Sequence, residues 1–202
     1  MAREGMANLI TRLRSLCQAG TADYSLAGVT YWTDAQMQDH LDAHATLLEG
    51  VALHWLPDTT AGAVSKYHRA KAGWRDLEEA ESGTIYWRVT DSQGTEQGTA
   101  GYTKDYVRGE VRFSADQGGT SYYLTGRSYD LYAAAVDVWS EKAAYFADWY
   151  KFTSEGQSFE RQQAYEHAVK QIERLGSKVG SNEASGEMRF SVFQRNDLNP
   201  RA

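Results

Sequence analysis

The stretch Tyr106-Val-Arg-Gly-Glu-Val-Arg-Phe113, followed by Tyr123-Leu-Thr-Gly126 and Ser128-Tyr-Asp-Leu-Tyr-Ala-Ala-Ala135, decides how this chain is organised. Its first part alternates apolar and polar residues around Gly109, the pattern of a half-buried β-hairpin. If Arg108-Gly109 is a two-residue turn, Tyr106 faces Val111 and Lys104 faces Phe113. That register gathers Tyr102, Tyr106, Val111 and Phe113 on one side. Arginine is a poor first residue for a tight primed turn, so a bulged turn is the alternative. Beyond Gly126 the period changes. Leu131, Ala135, Val138, Trp139, Phe146, Trp149 and Tyr150 recur at helical spacing, which predicts a helix from Ser128 to about Phe152, roughly 36 Å long. Ala133, Ala134, Ala143, Ala144 and Ala147 permit close approach of neighbouring backbones. Such a helix is too apolar for solvent and too polar for lipid, so it requires protein neighbours.

Towards the C-terminus, Ser158 caps a polar helix that runs to Leu175 and is ended by Gly176. Residues 177–202 hold one hydrophobic cluster, Met188, Phe190, Val192 and Phe193, with Arg189 and Arg195 beside it. The alternation suits an extended arm that docks on a partner's sheet; a frayed terminus is the other reading. Towards the N-terminus, alternating runs predict strands over Val64–Lys71, Thr84–Thr90, Gly101–Val107, Glu110–Ser114 and Ser121–Leu124. Earlier still, Asn8 can cap a helix to about Ala19 with Leu9, Leu13 and Leu16 on one face. Thr33 and Gln36 match a capping box, and Trp32 can staple onto Met37. This second helix carries Met37, Leu41, Leu47 and Leu48 and is expected to reach the neighbourhood of Trp55, before Pro57.

The expected fold is therefore α+β and mainly α: a helical bundle with a long central helix, a β-rich hairpin insert and an extended C-terminal arm. Residues 8–62 and 125–176 would form the bundle, 63–124 the insert and 177–202 the arm. Residues 1–7 are expected to be disordered, with Met6 a possible alternative start.

Composition bounds the function. At 202 residues, 42% hydrophobic and 24% charged, one domain with an appendage is the expected size. The net charge of −6 argues against a sequence-independent grip on nucleic acid, which needs clustered cations, though it leaves room for a channel through which DNA passes. Cys17 is the only cysteine, so no internal disulfide can form and a reducing compartment is expected. No apolar run approaches the roughly 20 residues of a membrane span. The first residues show no hydrophobic signal region, so the chain is expected to be soluble and cytosolic at synthesis.

Chemistry has little support. His40 and His44 lie four apart, a spacing that can place two imidazoles on one metal, but no Glu follows His40 and the nearest other histidine, His54, lies about ten residues on. They read as surface or interface histidines, and no metal or cofactor is expected. Asp34, Asp39 and Asp42 read as a solvated helix face, with Asp34 favoured in the first turn by the helix dipole. No glycine pattern forms a phosphate-binding loop, and no nucleophile elbow is present. Cys17 has the spacing of a buried helix residue rather than an activated thiol. The chain is not expected to be an enzyme. An aromatic-rich module for carbohydrate or another small ligand is the alternative, with Trp74, Tyr86, Trp87, Tyr102 and Tyr122 as its platform. The same residues read equally as alternate strand positions packed on the helices.

At the residues quoted in the opening, the chain resembles the head–tail connector, or adaptor, proteins of long-tailed double-stranded DNA bacteriophages. The resemblance rests on Gly109-Glu-Val-Arg-Phe113, the Leu124-Thr-Gly-x-x-Tyr-Asp-Leu131 junction, Ala133-Ala-Ala135, Lys142-Ala-Ala144 and Ser158-Phe-Glu-Arg-Gln162. The Leu9–Leu16 helix and Tyr31-Trp-Thr-Asp-Ala-Gln-Met37 extend it over most of residues 8–175. It implies a virion structural protein of the neck, between capsid and tail, assembled from the host cytoplasm into a homo-oligomeric ring, usually of twelve subunits. The ring would sit under the portal protein, receive a stopper or tail-completion protein on its other face, and let genomic DNA pass during ejection without sequence-specific binding; no membrane is involved. Tyr132, Ala135, Trp139, Ala143, Phe146 and Trp149 would face the neighbouring subunit. Met188, Arg189, Phe190, Val192, Phe193 and Arg195 would dock on the portal. The β-rich insert departs from the smaller members of the family.

Overall fold

A computed structural model describes residues 2–58, 65–79, 87–150 and 158–181. Among these, helices and strands are nearly balanced, at 39% and 32%, so the fold is mixed α/β rather than mainly α. Helices α1 (Ala7–Cys17), α2 (Asp34–Ala43), α3 (Leu131–Tyr150) and α4 (Ser158–Gly176) form the helical part. The strands are β1 (Tyr24–Leu26), β2 (Val29–Tyr31), β3 (Ala45–Ala52), β4 (His54–Asp58), β5 (Lys66–Lys71), β6 (Trp87–Asp91), β7 (Tyr102–Asp105), β8 (Glu110–Phe113) and β9 (Tyr122–Tyr129). They make a β1–β2 hairpin, a three-stranded sheet ordered β3-β9-β6 and a four-stranded sheet ordered β4-β5-β8-β7, all antiparallel.

Two hydrophobic clusters organise these elements. In the helical one, Leu9, Ile10, Leu13 and Cys17 present one face of α1 to Ala134, Ala135, Val138 and Trp139 of α3, with Met37 and Leu41 of α2 and Ala168 and Leu175 of α4. In the other, Leu48, Ala70, Val89, Val111, Phe113 and Leu124 come from five strands of two sheets, Leu124 lying on β9, the middle strand of the three-stranded sheet. β9 passes into α3 through the single residue Asp130, whose carboxylate accepts from the backbone N–H groups of Tyr132 and Ala133. This cap satisfies donors at the first turn of α3 and sets the helix against the sheet.

The expected bundle fails at two places, each for a physical reason. The second helix stops at Ala43 rather than near Trp55, and Leu47 and Leu48 lie in β3, paired with Arg127 and Gly126 of β9. Two adjacent leucines satisfy helical and strand patterns alike, and the pairing decides: Leu48 is buried while Leu47 is 56% exposed. Ser128 and Tyr129, expected to open the long helix, extend β9 instead, because Leu77 bridges to Ser128 and Thr46 pairs with it on the other side. The capping box of Thr33 and Gln36 forms as expected, with Trp32 and Met37 both fully buried. Asn8 does not cap α1; it lies inside the helix and donates to Glu79. Within the segment expected to be disordered, residues 2–7 are described and carry tertiary contacts. Arg3 donates to Asp42 and Glu78, and Met6 is buried in the helical core.

A strap, residues 75–79, runs along the seam between the two clusters. Its backbone groups are satisfied from both sides: Asp76 and Leu77 donate to Val107 and Tyr106, Glu78 to Arg127 and Glu79 to Gly5, while Asp76 accepts from Tyr129. Ser128 Oγ donates to the Arg75 carbonyl. At its centre the Glu78 carboxylate, only 3% exposed, accepts from Tyr129 at 2.6 Å and Arg3 at 3.1 Å, with Arg127 3.7 Å away.

Candidate functional site

The strap also forms one wall of a cleft of about 640 Å³ where α1, the start of α3, β5 and the β7–β8 turn meet. Leu16, Val107 and Leu131 are in its lining, with four cations: Arg12, Lys71, Arg75 and Arg108. Each comes from a different segment, because Arg12 lies on α1, Lys71 ends β5, Arg75 opens the strap and Arg108 sits in the turn before β8. The cleft contains two carboxylates. Asp76 accepts from Arg12, and burial lifts its carboxyl above the usual range although Arg12 pulls it down. Glu110 lies opposite Lys71 in the ladder but makes its ion pair with Arg69, at 3.5 Å.

The described side chains among those expected at a subunit interface lie in or against the chain's own helical core. Ala135, Trp139 and Ala143 are buried in the chain's own helical core, with Tyr132 and Phe146 half-buried against it. The Trp139 indole donates to the Leu16 carbonyl, and Lys178 lies 5.5 Å over the Tyr132 ring. Trp149 belongs to α3, and its side chain lies outside the described residues. So do all of Met188, Arg189, Phe190, Val192, Phe193 and Arg195. Of the residues named for an aromatic platform, Trp87, Tyr102 and Tyr122 are buried in the β cluster, Trp74 packs against it, and Tyr86 is outside the described residues.

His40 and His44 face α3 rather than each other. His44 Nε2 is 2.6 Å from Asp137 Oδ2, and His40 Nε2 is 3.5 Å from Glu141 Oε1. This makes two parallel rungs between α2 and α3, both partners repeating at four residues. Among the described residues no group of three or more His, Cys, Asp or Glu side chains is arranged to hold a metal. A second cavity, about 430 Å³, has Asp58, His68 and Ser114 in its lining, but Ser114 Oγ donates to the Gly101 carbonyl instead of meeting a base. Nucleophilic catalysis requires the nucleophile and base within hydrogen-bond reach, and no such bond joins these three. Cys17 is buried as expected; desolvation pushes its thiol up to about 12, with Lys142 pulling the other way. No helix of the described residues is long and apolar enough to cross a membrane.

Pattern reading missed the role of Lys142. Its buried ammonium donates to the carbonyls of Cys17 and Gln18 and pairs with Asp23 at 2.9 Å, so it caps the end of α1 from α3. The only local signal was a lysine amid alanines on an apolar helix. The basic cleft was equally hidden, since its cations are scattered from position 12 to 108 and converge only through folding. No family model, curated protein or solved structure matches the chain.

Proposed function

We propose that this chain is a structural interaction protein, a head-to-tail adaptor that forms a ring beneath a portal and joins it to a stopper or tail component. The reading rests on the resemblance described above, and one structural observation supports it. β8, β9, α3 and α4 follow one another along the quoted motifs, and α1 and α2 pack on α3 to complete one helical core. The β1–β2 hairpin packs on the helical core through Tyr24 and Tyr31 and leaves Leu26 and Val29 exposed at its tip. Exposed apolar side chains paired at a hairpin tip suit insertion against another protein. The ring is closed by head-to-tail contacts between unlike faces, which need no self-complementary patch.

Mixing the purified chain with portal assemblies and measuring mass by light scattering tests this. A complex carrying about one chain per portal subunit is expected. Absence of any co-eluting complex with portal assemblies would remove the proposal.

A further inference from the structure

We propose that the cleft between α1, β5 and the β7–β8 turn binds a phosphate-rich ligand, one carrying at least two linked phosphoryl groups. The inference is independent of the ring assignment. It starts from a contrast: a chain of net charge −6 gathers Arg12, Lys71, Arg75 and Arg108 around one concavity. Bringing like charges together is unfavourable, and the two carboxylates present do not offset it, because Asp76 is matched by Arg12 and Glu110 by Arg69. Among the described residues no ion pair engages Lys71 or Arg75. Arg108 has only Asp105, at 3.9 Å, with its own side chain 72% exposed, an arrangement that contributes little. Lys71, Arg75 and Arg108 thus face the same space without a close ion pair of their own, although Asp76 acts on Arg75 at longer range and Glu110 lies opposite Lys71.

The shape favours a compact ligand. The volume falls within the roughly 300–1,000 Å³ of small-molecule sites, and Leu16, Val107 and Leu131 add apolar surface to the lining. Clefts with an excess of one sign of charge concentrate counter-ions, and here four cations stand against two carboxylates. Guanidinium forks match the oxygens of phosphate in pairs. A phosphoryl group brings close to two charges and three acceptors in little volume, so two linked groups meet three cations where a single carboxylate would not.

Isothermal titration of the full chain with sodium tripolyphosphate at low salt tests the site. Saturable one-to-one binding is expected, weakened at least tenfold by Arg75→Glu with Arg108→Glu. The double variant Arg75→Gln with Arg108→Gln should weaken it in the same direction, and circular dichroism checks that each variant folds. Lys66→Glu with Lys170→Glu makes the same change in net charge at exposed sites away from the cleft and should leave binding within twofold. Competition by a short DNA duplex would support the site and identify a nucleic-acid backbone as the phosphate source; duplex without effect would support a free oligophosphate. No saturable binding, an equal loss in the Lys66 and Lys170 control, or equally tight binding of an oligoglutamate peptide would overturn the proposal.

Discussion

Glu78 shows how one side chain ties the molecule together. Its oxygens accept from Tyr129 and Arg3 and lie beside Arg127, so three elements distant in sequence share one buried carboxylate. Burial, with the Glu78 carboxylate adding to it, holds the Tyr129 hydroxyl above its ordinary range, while Arg127 opposes. A buried charge is tolerated only when its partners are complete, and removing one member strands the others. Glu78→Ala is therefore expected to lower unfolding free energy by about 3 kcal/mol, measured by urea denaturation. Tyr129→Phe, which removes only one donor, should lose about 1 kcal/mol. Equal losses would mean that the carboxylate is not the hub.

At the scale of elements, the β7–β8 hairpin shows what a pattern can and cannot disclose. The expected register paired Lys104 with Phe113, whereas Lys104 pairs with Val111 and Tyr102 with Phe113. The slip is two residues, and because side chains alternate with period two, the same face stays buried. Tyr102, Val111 and Phe113 therefore reach the core as anticipated, although the turn is four residues long, Tyr106 to Gly109. What sets that turn is tertiary. Gly109 has φ +64°, its carbonyl accepts from Ala72, and an added Cβ would lie 1.9 Å from the Trp74 carbonyl oxygen. No local signal announces a strap pressing on the turn, just as none separated Leu47 and Leu48 from the preceding helix. Gly109→Ala should destabilise the protein by more than about 2 kcal/mol, readable as a lower thermal midpoint, and Gly94→Ala, with open space around it, by about 1 kcal/mol. The α2 cap, being local, was legible; the α3 start, decided by Leu77 and Thr46 reaching Ser128, was not.

For the molecule as a whole, the seam carries charge where each core carries hydrocarbon, so pH acts on the joint between them. Burial alone would raise the Asp42 carboxyl, but hydrogen bonds from Arg3 and Gln38 hold it below its ordinary value. A carboxyl depressed in the folded state contributes stability that is present above its unfolded value and lost as pH falls through the folded one. Asp76 has the opposite sign: burial raises it, so its ionisation opposes folding as pH climbs through the acid range. At the alkaline end, Cys17, Tyr24 and Tyr129 are all raised, chiefly by burial, and each favours the folded state until pH rises through its unfolded value and beyond. The thermal midpoint is thus expected to be flat between about pH 5 and pH 8 and to fall on both sides. Asp42→Asn should reduce the acid-side slope and leave the alkaline side unchanged, because it removes the one depressed carboxyl that holds Arg3, and with it the N-terminal segment, onto α2 and the strap. A parallel downward shift of the whole profile would instead mean that Asp42 acts through packing and not through its charge.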